Sequence, residues 1–185
     1  MAKFKIIEGS ITSPQGFQAA ARFCNLKKIG TGKGSNKGEK KDLALIFSEA
    51  PAKAAGMFTT NQICAAPVKI CIKHLKDNSA QAVVINSGNA NACTGPKGMK
   101  DALEMTTVAA KELGLKGSNV LVASTGRIGV NLPMNPIRKG IKAVANDLKS
   151  TQHAATQTAE AIMTSDTKPK QISVEFKLGG KVVRL

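Results

Sequence analysis

Residues 120–129 read VLVASTGRIG, a run of small apolar and β-branched residues that stops at Ser124-Thr125-Gly126. A buried strand ending on two hydroxyls and a glycine suits three roles: a nucleophile, a helper to one, or a polar strand end. A Ser or Thr nucleophile needs a base within hydrogen-bond reach, usually a histidine held by a carboxylate. The chain has two histidines. His74 reads as lying in a lysine-rich strand exit and His153 in a polar helix start, so both read as surface residues. Lysine is too abundant for a Ser-Lys pair to stand out. What Ser-Thr-Gly does offer is a small hydroxyl beside an unhindered glycine amide. Two such donors aimed at one point would stabilise a developing oxyanion. With no local base, the nucleophile would then lie elsewhere, on this chain or on another.

Two further clusters carry polar chemistry. NSGNANACTGPKG (86–98) is dense in Asn, Ser and Gly. It suits hydrogen bonding to a polar ligand, but a long turn whose Asn residues bond their own backbone is the favoured reading. MTSDTKPK (163–170) brings Thr164, Ser165, Asp166 and Thr167 together. They either end a helix or contact a ligand bearing amine or carboxylate groups, and composition does not separate the two. KKIGTGKGSNKGEKK (27–41) invites a phosphate-loop reading, yet Gly32-Lys33 is followed by Gly34 and not by Ser or Thr. A solvated loop fits it better. Cys24, Cys64, Cys71 and Cys93 form no C-x-x-C pair, so no metal site is expected and the four read as buried free thiols.

Periodicity supplies the elements that must position these groups. DLALIFSE (42–49) and AAGMFTTN (54–61) read as two strands joined across Pro51. APVKICIKHL alternates Val68, Ile70 and Ile72 with lysines, which predicts one buried and one wet face at strand spacing. AVVINSG (82–88) is a continuous apolar run ending in polar sequence, and VLVASTG repeats that design. Between them, Leu103, Val108 and Leu113 predict an amphipathic helix closed by Gly114. Asn135-Pro136 reads as N-cap and first helical residue of another helix, with Ile137, Ile141, Ala145 and Leu148 at helical spacing. A third helix spans His153–Met163, and ISVEFKLGGKVVRL closes the chain as a hairpin around Gly179-Gly180. The expectation is one mixed α/β (α+β) domain over residues 1–185, with a strand-helix-strand-helix middle and a C-terminal hairpin. The apolar end at Leu185 reads as a polypeptide that continues.

Twenty-seven basic residues face 12 acidic ones, a net charge of +15. Anionic substrates, an acidic partner chain or nucleic acid would each fit. The chain has no Trp and no Tyr, so it lacks stacking platforms for single strands, and no groove-reading motif stands out. No apolar run approaches the roughly 18 residues of a membrane span, and MAKFKIIEGS lacks a signal-peptide core. A soluble, cytoplasmic protein with no membrane or nucleic-acid partner is expected.

KDLALIFSE, AAGMFTTNQICAAPV, AVVINSGNANACTGPKG, VLVASTGRIGVNLPM and AEAIMTSDTKPK occur in this order. Together they resemble the α chain of the ornithine acetyltransferase (bifunctional glutamate N-acetyltransferase) family of arginine biosynthesis, over about residues 10–185. The resemblance implies a layered α/β sandwich and a precursor that cleaves itself at an Ala-Thr bond. It implies a nucleophilic N-terminal Thr on the β chain, whose α-amine serves as base. The reaction would move acetyl from N-acetylornithine to glutamate by a ping-pong route through acetyl-threonine. No resident cofactor or metal is implied; acetyl-CoA is a co-substrate of bifunctional members. The β chain is the implied partner, in an α2β2 heterotetramer or larger. Thr125 and Gly126 match the family's oxyanion pair and Thr164 a substrate-binding threonine. Ser165 stands where the family usually has Thr, retaining the hydroxyl, and Arg127 matches no assigned role. The family's Gly-rich segment, with a substrate-contacting Lys ahead of the cleavage site, would follow Leu185. An N-terminal-nucleophile aminopeptidase or amidase on a similar self-cleaving scaffold is the runner-up, and a basic nucleic-acid-binding module comes last.

Overall fold

Side chains alternate across a strand, so a sheet covered on both faces needs two apolar rows one residue out of step. Such rows are found in the computed structural model, which describes residues 4–27 and 40–185. Strands β2 (Phe17–Arg22), β3 (Leu43–Lys53), β4 (Ser79–Asn89) and β5 (Val120–Arg127) form one sheet in that order. β2, β3 and β4 are antiparallel neighbours, while β5 joins β4 in parallel at the edge. One row, Ala20–Leu45–Val84–Val122, lies in register across all four strands and belongs to the main core. Helices α1 (Ala66–His74), α2 (Gly95–Leu113) and α3 (Met134–Ala145) cover it with Ile70, Met105, Ala109, Ile137 and Ile141. The next row, Ala21–Ala44–Ile85, faces the other way and packs against Ala161 of α4 (Gln152–Ala161). The result is a sandwich of helices, sheet and helix, the mixed α/β class that the sequence predicts.

A second sheet joins the chain's distant segments. β1 (Phe4–Ile7) pairs with β6 (Ser173–Leu178), and β6 with β7 (Lys181–Arg184). The expected terminal hairpin is present, with Gly179 and Gly180 both at left-handed φ, 56° and 78°, which the two-residue turn requires. On one face Glu175 pairs with Lys5 and Arg184. The opposite face presents Phe4, Ile6 and Leu178, each about two-thirds exposed.

Three expectations are corrected. Residues 42–61 are not a two-stranded hairpin: β3 runs through Pro51, and 54–61 is exposed coil. Pro51 lies where the β3–β4 register shifts between Phe47 and Ala52, and a bulge does not need its missing N–H. APVKICIKH is helical. Its buried residues are Ala66, Pro67, Ile70, Cys71 and His74, a helix stripe, and Pro67 occupies the first turn, where its N–H is not needed. Apolar residues at 68, 70 and 72 fit a strand equally well, but Ile72 is nearly half exposed. α3 begins at Met134 with Pro133 before it, so Asn135 is not its N-cap.

The thiols are free among the described residues, but only Cys71 is buried; Cys93 is exposed and the other two are half-buried. Cys24 packs where a Cβ on Gly140 would lie 2.2 Å from its sulfur, and burial pushes that thiol up to about 12. Apart from its ends, the Lys/Gly-rich stretch 27–41 falls outside the described residues. Among those residues, no helix is long and apolar enough to cross a membrane and no His/Cys/Asp/Glu group could hold a metal.

Candidate functional site

Ser124, Thr125 and Gly126 end the edge strand β5, opposite Asn86, Ser87 and Gly88 of β4 in parallel register. Register decides the faces. Ser124 shares the main-core side with Asn86, and its Oγ donates to Asn86 Oδ1 at 2.6 Å. Ser124 therefore has a structural role: it pins the strand end. Thr125 shares the other side with Ser87, whose Oγ donates to the Ala161 carbonyl at 2.5 Å. Thr125 is half-buried and Gly126 exposed.

Gly126 is required by its surroundings. Its φ is +125°, and a Cβ there would lie 2.4 Å from the Gly88 carbonyl carbon and 2.7 Å from Asn89 N. Gly88, φ +106°, repeats this one layer inward, where a Cβ would lie 2.7 Å from Lys27 Cα. Backbone thus stacks on backbone from 126 to 88 to 27. The innermost layer is anchored by fully buried Asp42. Its carboxylate accepts N–H bonds from Cys24 at 2.7 Å, Leu26 at 2.6 Å and Lys27 at 3.2 Å. Burial raises the Asp42 pKa, while those three bonds and Lys27 pull it down without reversing the shift. Asp42 and Ser87 carried no signal in residue type alone; only the fold makes them supports of the strand end.

The Asn-rich segment is not one long turn: 86–89 end β4 and 95–98 open α2, yet its Asn side chains do bond backbone, as that reading expects. Asn86 Nδ2 donates to Asn89 O at 2.8 Å, Asn89 Nδ2 to Val130 O at 2.9 Å, and Asn91 Nδ2 to Gly98 O at 2.9 Å. All three are buried, so these amides shape the loops beside Gly126. The Arg127 carbonyl accepts the Ala90 N–H at 2.9 Å, part of the same framework.

Thr164 follows α4 and is half-buried. Its N–H reaches Asp166 Oδ2 at 3.4 Å, and Lys170 pairs with the same carboxylate. The Lys170 hydrogen bond, then the Thr164 N–H, holds Asp166 below the usual carboxylate range. Thr164 opens onto a cavity of about 490 Å³ walled by Lys27, Lys41, Gln157, Glu160 and Asp166. Thr125 and Gly126 do not line it, so the fold sets the two threonines on the α4 side of the sheet without placing them in one cavity.

His153 is exposed and bonds Gln157 at 2.8 Å, whereas His74 is not a surface residue. It is buried under β5, with Nδ1 2.8 Å from the Val120 carbonyl. The strand reading had put it at a wet exit; on a helix it turns inward. It serves the backbone of β5 at the end away from Thr125.

Comparison with known proteins fits this architecture. The arginine biosynthesis bifunctional protein ArgJ of Symbiobacterium thermophilum is 45% identical over 97% of the chain, and that of Caldanaerobacter subterraneus 44% over 98%. The chain spans 42% of the length of each. The crystal structure of ArgJ from Bacillus halodurans superposes with a TM-score of 0.91 at 35% identity, covering 100% of this chain and 92% of that one. Ornithine acetyltransferase from Mycobacterium tuberculosis, solved with ornithine, gives 0.84 at 35% identity over 93% of this chain and 88% of that one. The ArgJ family matches residues 27–185, and with that match and this shared fold the chain belongs to the ArgJ family.

Proposed function

We propose that this chain is the α chain of an acetyltransferase that moves acetyl from N-acetylornithine to glutamate. The observation that carries the reading is the likeness to an ornithine acetyltransferase that binds ornithine, joined to a strand end built around a glycine that tolerates no side chain. A second, β chain supplies an N-terminal Thr. Its hydroxyl attacks the acetamide carbon while its own amine takes the proton. Thr125 Oγ–H and the Gly126 N–H receive the negative oxygen. Collapse breaks the C–N bond as the threonine ammonium returns its proton to the departing amine, releasing ornithine and leaving acetyl-threonine. The glutamate amine then attacks that ester carbonyl and the C–O bond breaks. The threonine oxygen regains a proton from the amine, and N-acetylglutamate leaves. Thr164 contacts the substrate, and Lys41 on the cavity wall favours its carboxylate. Acetyl-CoA is proposed as a second acyl donor, in keeping with the relatives' name, bifunctional.

Two observations support a partner chain in an α2β2 or larger assembly. The matched solved chain is nearly this length whereas whole relatives are more than twice as long. Phe4, Ile6 and Leu178 share one face of the second sheet, each about two-thirds exposed, an apolar cluster that a partner chain could cover. We place the enzyme in the cytoplasm, with no nucleic-acid or membrane partner.

The test is to produce the chain together with the remaining polypeptide and supply N-acetylornithine and glutamate. Acetyl transfer, with one acetyl group found on the N-terminal Thr of the second chain, is expected. Release of amino acids from peptides without acetyl transfer would assign the N-terminal-nucleophile aminopeptidase class instead.

A further inference from the structure

The last carbonyls of a helix have no partner within it. In α4 the final one, Ala161 O, receives two donors from elsewhere: Ser87 Oγ at 2.5 Å and Lys27 Nζ at 3.2 Å. Both donors belong to the stack that carries the β5 strand end. Ser87 is the register partner of Thr125 and fully buried, while the Lys27 backbone lies against Gly88, which lies against Gly126. Lys27 Nζ also donates to Lys41 O at 2.9 Å, tying β3's entry to the same point. Thr164 is three residues beyond Ala161.

We infer that Ser87 and Lys27 are positioning residues: through their shared acceptor, Ala161 O, they set the Thr164 turn at a fixed distance from Thr125 and Gly126. The inference rests on the proposed acetyltransferase reading for its kinetic consequence, but not for its geometry. Neither side chain touches the reacting atoms. A hydroxyl and an ammonium at a helix C-terminus also oppose its partial negative charge, so they hold the turn more firmly than loop contacts would. Without them, α4 keeps its packing on Ala21 and Ala44, and only the exit toward Thr164 loosens. Loosening a group that binds substrate equally in ground and transition states raises KM and spares kcat.

The experiment uses the complete two-chain enzyme with four variants. Ser87→Ala and Lys27→Met delete one donor each while keeping the side-chain bulk; Ser87→Thr and Lys27→Arg keep a donor. Amide hydrogen exchange at 162–167 is expected to quicken about 10-fold in each deletion and to stay near wild type in the conservative pair. KM for N-acetylornithine is expected to rise about 10-fold in the deletions with kcat within about twofold, and to recover in the conservative pair. Unchanged exchange at 162–167 overturns the clamp whatever the enzyme does. Faster exchange with unchanged KM, or with kcat alone falling, overturns its substrate-positioning role. A wild-type enzyme with no acetyl transfer sinks the proposed activity alone, and the exchange result then still decides the clamp. If one deletion fails to fold, the other carries the same readouts, because each donor reaches Ala161 O from a different segment.

Discussion

Replacing Gly126 by alanine tests the strand end most sharply. The new Cβ would sit 2.4 Å from the Gly88 carbonyl carbon, 2.7 Å from Asn89 N and 2.8 Å from Gly88 Cα. Ordinary carbon contacts begin near 3.5 Å, so β4 and β5 must part by about 1 Å, and every obstructing atom is backbone. A φ of +125° costs a non-glycine residue about 1–3 kcal/mol, and overpacking adds about 1–3 kcal/mol. The combined loss, about 2–6 kcal/mol, would lower the urea midpoint by roughly 1–3 M for an m-value near 2 kcal/mol/M. On the proposed mechanism, a 1 Å displacement of the Gly126 N–H should cost about 10²-fold in kcat. Gly129→Ala is the control: φ is +78° but nothing lies within 4 Å of its Cβ. It should lose about 1 kcal/mol and keep kcat within about twofold. The reasoning fails if Gly126→Ala retains both midpoint and kcat, or if Gly129→Ala does equal damage.

Thr125→Ala in the two-chain enzyme should lower kcat by about 10²–10³-fold through loss of one donor; a change confined to KM would reject that role. At pH 8, iodoacetamide should modify exposed Cys93 well before Cys24, because a thiol pushed up to about 12 is thiolate about once in 10⁴; mass spectrometry of the digest reads the order. The Arg22 guanidinium donates to Asp147 at 3.0 Å and holds that carboxyl below its ordinary value. A depressed folded pKa contributes stability above the unfolded value, lost as pH falls through the folded one. The pair is exposed, so Arg22→Ala should lose less than about 1 kcal/mol at pH 7. That difference should close on acidification, and a gap that widens in acid would contradict the assignment.

Strands β4 and β5 were legible because each is a continuous apolar run, and the hairpin because Gly179-Gly180 admits few alternatives. The error at 66–74 arose where apolar residues two apart fit both periods. Burial decided it, through contacts with α2 and β5 that no local window contains. That error carried His74 with it. Pro51 reads as the join of two strands because so short a connection suits a hairpin, yet a bulge lets β3 run through it without the ladder bond that its missing N–H cannot make. At the candidate site, Thr125 and Gly126 announce themselves by type at a strand end. Asp42, Ser87 and Lys27 do not, since their significance is a matter of where distant segments cross.

The pairing of β1 with β6 has a temporal consequence. Phe4 meets Phe176 roughly 170 residues downstream; at about 5–20 residues per second, synthesis leaves β1 waiting on the order of 10–30 s for its neighbour. Closing so long a loop comes late in folding, so the nascent chain carries an unpaired apolar strand, with Phe4 and Ile6, while the main sheet assembles. Until β6 emerges, that strand keeps an open hydrogen-bonding edge, a place for wrong pairing with another chain.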